Sequence, residues 1–216
     1  QATERDDFRD AEPGKILHEL RRGELSSFGE VPHSPYYGTV DATPLFLVLL
    51  HEVWRWTADD DFVRELEAPA RGALGWLLEH TGANGYVDYE ARSQGGLKNQ
   101  GWKDSGDCIL FRDGGEAEGR ISLCEVQGYA YDAYTRTAEL AEAVWDDAGL
   151  AHELRWKAAS LKERFDRDFW VEDGGYYALA LDGEDRRVDS LTSNIGHLLL
   201  SGIVPESKAR AVADHL

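Results

Sequence analysis

Hydrophobic residues follow a helical period along much of the chain, in two alternating kinds of segment. Residues 45–50 (LFLVLL) are apolar on every face, which predicts a helix from about 44 to 57 that is buried all round. Residues 66–77 are apolar on one face only, which predicts an outer helix that packs against a core by that face. The two helices, consecutive in sequence, form a predicted hairpin.

The same pair recurs further along the chain. Residues from Glu125 to Leu140 enter a helix whose small and aromatic positions suit close packing, and residues 150–169 carry a clean amphipathic stripe. A third apolar helix is predicted from Ile195 to Leu200. Pro205 at the first helical position starts another, inside which the sequence stops.

Local signals mark the starts of the first two helices. Thr43 followed by Pro44 has the pattern of an N-cap and a proline at N1. The three acids 59–61 favour the next helix N-terminus, and Pro69 marks a kink or a late start. Each outer helix is followed by a glycine-tyrosine turn or short strand, at residues 85–89 and 174–178.

Inner helix, outer helix, turn and long loop therefore repeat with a spacing of roughly 70 to 90 residues, as in solenoids and closed α/α toroids, and the fold class is all-α. Residues 1–35 are predicted to be an extended segment that leads into the helical region, with one short helix over 13–20. Each long loop precedes an inner helix. This places four polar residues at one end of the inner helices, which we call the mouth: Asp41, Asp104, Glu125 and Asn194.

Composition narrows the class of partner. The formal net charge of the 216 residues is −18, and no cluster of Lys or Arg exists to meet phosphates, which argues against nucleic acid or an anionic membrane. A neutral partner such as a carbohydrate fits better. The two cysteines lack metal-ligand spacing and indicate a reducing compartment, so we expect a cytoplasmic protein with no metal or other cofactor.

The loop at residues 99–107 (NQGWKDSGD) carries the most distinctive chemistry. A tryptophan can stack on a pyranose ring and keep water from a neighbouring carboxylate, which raises the pKa of that acid towards general-acid duty. Asp104 is the expected acid, with Asp107 as the alternative. The loop could equally be solvated, with Trp102 covering an edge of the core.

Four segments together resemble the amylo-α-1,6-glucosidase, or glycogen-debranching-like, family of glucoamylase-type glycoside hydrolases. They are residues 36–46 (YYGTVDATPLF), 99–105 (NQGWKDS), 125–127 (EVQ) and 189–198 (DSLTSNIGHL). The resemblance implies an (α/α)6 barrel that hydrolyses α-glucosides or α-glucan branches with inversion and without a metal. Residues 36–216 would be part of that barrel, preceded in the whole protein by a β-sandwich.

Position by position, the resemblance assigns roles to individual residues. Asp104 would be the general acid and Asp41 would bind the hydroxyls of the sugar in the cleaved subsite. Trp102 would stack on that sugar and Glu125 would be a second contact. Three further residues are expected to contact the substrate: Tyr37, Lys103 and Gln127.

The general base of the inverting reaction is missing from this set. In the family it is a glutamate in a late loop of the barrel, and a full toroid has twelve helices where about six are predicted here. We therefore expect the N-terminal half of a barrel that is inactive alone. The alternatives are a truncated homologue that has lost activity and, less favoured, Glu125 as a stand-in base.

Other readings stay open at this stage. The intact protein could be a non-catalytic carbohydrate-binding toroid or a plain helical scaffold.

His197 on an apolar helix is expected to be a core histidine. Cys124 has no partner that would make it a nucleophile.

Overall fold

Three helical hairpins and two small sheets make up the fold. The computed structural model describes residues 1–216, of which 44% are helical and 9% lie in strands or bridges. The helices are α1 (Glu24–Ser27), α2 (Ala42–Thr57), α3 (Asp60–Glu65), α4 (Glu67–Glu79), α5 (Cys124–Ala143), α6 (Ala148–Asp168), α7 (Ile195–Ser201) and α8 (Glu206–Ala213).

The hairpins form two layers. In the inner layer α2 packs on α5 and α5 packs on α7, while α4, α6 and α8 each pack outside their own hairpin partner. The inner helices approach closely because α5 is rich in small residues: a Cβ at Gly128 would lie 2.8 Å from Ser201 Oγ on α7. One continuous core cluster runs through all three hairpins. The predicted alternation of inner and outer helices is confirmed.

The sheets are an addition to the expected all-α class. β1 (Ser122–Leu123), β4 (Ala180–Leu181) and β5 (Arg187–Val188) form one antiparallel sheet in the order β1-β4-β5. β2 (Trp170–Val171) and β3 (Tyr176–Tyr177) form a hairpin at the predicted glycine-tyrosine turn. The backbone N–H of Cys124 donates to Leu179 O at 2.9 Å, so the first sheet fixes the start of α5.

The predicted starts of α3 and α4 agree with the structure, whereas the start of α2 differs. Asp59 caps α3, and its side chain accepts a hydrogen bond from Phe62 N at 2.9 Å, as the run of acids predicted. Pro69 lies near the start of α4, which agrees with a late start. Thr43 is not the N-cap of α2, because the helix begins at Ala42 and the Thr43 hydroxyl instead accepts from Ile16 N at 3.0 Å.

Three expectations about elements were wrong. Residues 13–20 are not helical, because their backbone pairs with distant segments, as in the bridge between Glu19 and Tyr36. The last helix, α8, ends at Ala213 before the final residue. α2 is not buried all round: Leu49 is 62% exposed and Trp56 is 87% exposed, because α4 and α5 cover only part of its circumference.

None of the helices combines the length and the apolar character that crossing a lipid bilayer requires.

Candidate functional site

The N-termini of the three inner helices meet at the mouth. Asp41 is the N-cap residue of α2, Glu125 lies in the first turn of α5, and Asn194 is the N-cap residue of α7. The charge of Asp41 is close enough to contribute to raising the pKa of Glu125, and Asn194 lies beside the Glu125 carboxyl group. Helix N-termini carry a partial positive charge, so this end of the inner layer favours acidic groups.

Glu125 is sealed beneath the mouth. Its side chain is fully buried, and burial raises its pKa above the usual range, outweighing the neighbouring Asn194 and Cys124 side chains that favour the charged form. Neither Glu125 Oε1 nor Asn194 Nδ2 has a hydrogen-bond partner. The backbone of Gly101 covers the carboxyl group, since a Cβ there would lie 3.1 Å from Glu125 Oε1. Direct contact with a sugar would need this segment to move.

Asp41 is more open than Glu125 and does not act as a side-chain cap. Its carboxylate makes no hydrogen bond to the first turn of α2, and instead accepts one from the Thr39 hydroxyl. The preceding residue, Val40, donates its N–H to Gln100 O at 2.8 Å. This bond ties the Asp41 loop to residues 99–107, so the two acidic segments are held side by side.

Trp102 belongs to a small aromatic group that the sequence did not reveal. Its ring is 51% exposed and lies against His197, with centroids 4.5 Å apart. The Tyr129 hydroxyl and His197 Nδ1 are 2.7 Å apart in a hydrogen bond. Burial lowers the pKa of His197, and the negative charge of Asp41 partly opposes this. His197 therefore lies at the mouth, and the expectation of a core histidine was wrong.

Helical spacing could have signalled this group. Tyr129 follows Glu125 by one helical turn, and His197 follows Asn194 by three residues, so each shares a face with a residue already placed at the mouth. Trp102 was expected either to cover an edge of the core or to stack on a sugar ring. Its half-exposed face leaves the second use open.

Asp104 lies on the solvent side of the same segment. Its side chain is exposed and makes no hydrogen bond or ion pair with the protein, and neighbouring Asp107 is exposed as well. The half-buried Lys103 forms no ion pair, and its carbonyl accepts from the Cys108 thiol at 3.2 Å. Asn99 holds the segment from inside, donating from Nδ2 to Ser105 O at 2.6 Å.

Two expected substrate contacts are placed differently. The Gln127 amide is fully buried and saturated by backbone: it accepts from Val87 N at 3.0 Å and donates to Val87 O and Leu123 O. Gln127 is therefore not placed to contact a sugar, because its side chain is fully buried and both of its N–H groups are used by the backbone. Tyr37 is 8% exposed and packs with Ala2 and Ala11 in a small cluster apart from the main core.

The remaining reactive groups fit no metal or thiol chemistry here. No group of three or more His, Cys, Asp or Glu side chains is placed to hold a metal ion. Burial raises the pKa of the Cys124 thiol well above its usual range, and the charge of Glu125 raises it further. Cys124 is therefore a protonated, inaccessible packing residue.

The fold is similar to two solved structures. A rhamnosidase from Klebsiella oxytoca with rhamnose bound superimposes with a TM-score of 0.59 and 19% identity, over 82% of this chain and 30% of that one. A GH78 family rhamnosidase of Bacillus sp. GL1 superimposes with a TM-score of 0.65 and 15% identity, over 82% of this chain and 17% of that one.

Comparison by sequence adds nothing to this likeness: no protein-family model matches the chain, and no curated protein matches it. The chain spans less than a third of either rhamnosidase, and at these identities the likeness concerns the fold. The chain thus shares its helical fold with part of each rhamnosidase, and the glycogen-debranching-like family is not shown.

Proposed function

We propose that the intact protein is an inverting glycoside hydrolase acting on an α-linked sugar, and that these residues form the acid-bearing half of an (α/α)6 barrel. The observation that carries the proposal is the mouth itself. Two carboxyl groups at inner-helix N-termini, Asp41 beside and Glu125 beneath residues 99–107, adjoin the segment that presents Trp102 and Asp104 to solvent.

Each open residue has a task in such a reaction. Asp104 protonates the glycosidic oxygen as the bond to the anomeric carbon breaks. Asp41 accepts hydrogen bonds from sugar hydroxyls, and the exposed face of Trp102 stacks on the ring. Lys103 contacts the substrate from the same segment. Glu125 supports the subsite from beneath Gly101.

The second half of the reaction needs a base. In an inverting glycosidase the two carboxyl groups lie roughly 6.5–9.5 Å apart, so that a water can attack from the opposite face of the ring. We place that base, a glutamate, in a later loop of the barrel outside these 216 residues, because Glu125 is sealed from solvent. A β-sandwich preceding the barrel is part of the same proposal.

The sugar is the finer part of the proposal. The resemblance of residues 99–105 favours an α-glucoside or an α-glucan branch, whereas the solved structures of similar fold are rhamnosidases. A neutral substrate suits a chain whose net charge is −18. Inversion converts any of these α-linkages into a β-configured first product.

Proton NMR of the intact protein with a panel of α-glucosides, α-mannosides, α-rhamnosides and branched α-glucan tests the proposal. We expect one class to be hydrolysed, with the β-anomer appearing first and the α-anomer only by later mutarotation. An α-anomer as first product contradicts inversion. Sugar binding without any product supports a non-catalytic carbohydrate-binding toroid instead.

A further inference from the structure

A single buried carboxylate in the N-terminal segment joins three distant parts of the chain. Asp10 is 1% exposed. Its Oδ1 accepts from Arg92 N at 3.0 Å and from Ser93 N at 3.2 Å. Its Oδ2 accepts from the Tyr36 hydroxyl and from Gln100 Nε2, each at 3.2 Å. Every one of these partners lies at least 26 residues away in sequence.

Gln100 extends this network to both acidic segments of the mouth. Its side chain is bound by Asp10, and its main-chain carbonyl accepts from Val40 N at 2.8 Å. Gln100 directly precedes the Gly101-Trp102 pair, and Val40 directly precedes Asp41. A shift of Gln100 would therefore move both segments at once.

Tyr36 also binds the loop formed by residues 92–100. Its hydroxyl donates to Asp10 and accepts from Leu97 N at 2.7 Å. The phenol ring is fully buried, and the backbone at Gly38 and Gly96 runs so close that a Cβ at either position would collide with Tyr36 Oη. Residues 92–100 are thus bound at both ends to one carboxylate.

The burial of this charge is compensated locally. Lys15 is 4% exposed, and its Nζ donates to Asp10 O at 3.2 Å. Hydrogen bonds to an ionised acceptor are stronger than neutral ones, and a buried carboxylate deprived of partners is costly. Four donors around Asp10 therefore constrain the loop more than neutral side chains would.

We propose that Asp10 is a positioning residue of the candidate active site, which holds Trp102, Asp104 and Asp41 in register through Gln100 without touching the sugar. The inference rests on the proposed function for its effect on turnover. Its effect on the loop is independent of that function. It also makes residues 1–35 a working part of the site.

Exchanging the donor and the acceptor between Asp10 and Gln100 tests whether their hydrogen bond positions the loop. Asp10→Asn can keep Oδ1 as acceptor for Arg92 and Ser93, but its Nδ2 can no longer accept from the Tyr36 hydroxyl or from Gln100 Nε2, and the bond to Gln100 re-forms only if that amide turns to present Oε1. Gln100→Glu alone places a second carboxylate beside Asp10. The double variant restores one N–H···O hydrogen bond with donor and acceptor exchanged.

Hydrogen exchange and steady-state kinetics on the intact protein give the two readouts. For Asp10→Asn we expect faster exchange at the Val40 and Leu97 amides. We also expect kcat to fall by about 100-fold, with a smaller change in KM, as for a misplacement of about 1 Å near the reacting groups. The double variant should recover much of both. Asp6→Asn is the matched control, because the Asp6 carboxylate accepts only from neighbouring Phe8 and Arg9.

The outcomes separate the two ideas. Unchanged exchange at Val40 and Leu97, or a double variant no better than either single one, overturns the positioning role. Absence of turnover in the unmodified protein contradicts the proposed function, and the exchange data still decide the role of Asp10 in the loop. If Asp10→Asn does not fold, Gln100→Leu removes the same bond, and unchanged exchange in that variant overturns the proposal.

Discussion

Asp104 and Glu125 are the two acids of the mouth with the most different surroundings. Asp104 is exposed and bonded to nothing, on an irregular segment. Glu125 is fully buried in the first turn of α5, and burial raises its pKa. Asp104 is accessible to a substrate but lacks the desolvation that a general acid needs. Glu125 is desolvated but is not accessible to a substrate.

The difference shows how the two acids divide the work. Desolvation disfavours the charged form of a carboxyl group, and a bound sugar stacked on Trp102 would supply it to Asp104 at the moment of reaction. Glu125 already has that environment, but Gly101 lies between it and solvent. The open acid is therefore suited to proton transfer and the sealed acid to shaping the site.

The largest effect is expected from Asp104→Asn. The amide keeps the size of the side chain but cannot donate an acidic proton, so we expect kcat of the intact protein to fall by about 10²–10⁴-fold with sugar affinity largely kept. Steady-state kinetics and calorimetric titration measure the two quantities. Asp107→Asn is the control and should retain turnover. The opposite result would make Asp107 the acid.

A smaller effect is expected from Gly101→Ala, because Gly101 lies between Glu125 and solvent. The new Cβ would collide with Leu123 Cδ1 and lie 3.1 Å from Glu125 Oε1, so the segment should lift and misplace Trp102. A fall in kcat/KM of about 100-fold is expected from such a displacement. Gly106→Ala is the matched control, since its Cβ would meet no atom within 4 Å. Equal effects of both substitutions would mean that the segment does not seal Glu125.

The smallest effect on turnover is expected from Glu125→Gln, whose main effect is on stability. The pKa of Glu125 is raised in the folded state, so the folded chain binds the proton more tightly than the unfolded chain. Its contribution to stability is then fully present below the unfolded pKa and is lost as pH rises through the folded pKa. Glutamine is always neutral, so the free energy of unfolding of the variant relative to the unmodified protein should increase over this range.

Urea unfolding at several pH values measures this difference directly. Exposed Glu79, which forms no ion pair, provides the control in Glu79→Gln. A relative stability of the Glu125 variant that does not change with pH would show that folding does not raise the pKa of this carboxyl group.

Much of the helical fold could be predicted from periodicity. The extents of α2 and α6, to within two residues at each end, and the N-cap of α3 follow from residues near in sequence, because capping and a one-sided apolar stripe are local properties. The short strands and the fate of residues 13–20 could not be predicted in this way. Their backbone partners, such as Tyr36 for Glu19, are chosen by tertiary contact.

The candidate site was likewise predicted only in part from the sequence. The sequence placed Asp41, Asp104, Glu125 and Asn194 at one end of the inner helices. The structure brings Asp41, Glu125 and Asn194 together, with Asp104 on the exposed side of the neighbouring segment. It gave no sign that His197 contacts Trp102, or that the Gln127 amide is used up by Val87. A buried amide and a free one look the same in sequence, because burial depends on what else packs there.

By itself, the sequence determined the helical hairpins, the position of acids at inner-helix N-termini and the aromatic-acidic composition of residues 99–107. Only the tertiary structure decided which acid is sealed and which is open, and that Asp10 binds the loop over the mouth. The physical reason is range. Periodicity and capping act within a few residues, whereas the tertiary hydrogen bonds that hold the loop join residues such as Asp10 and Tyr36, which are 26 positions apart.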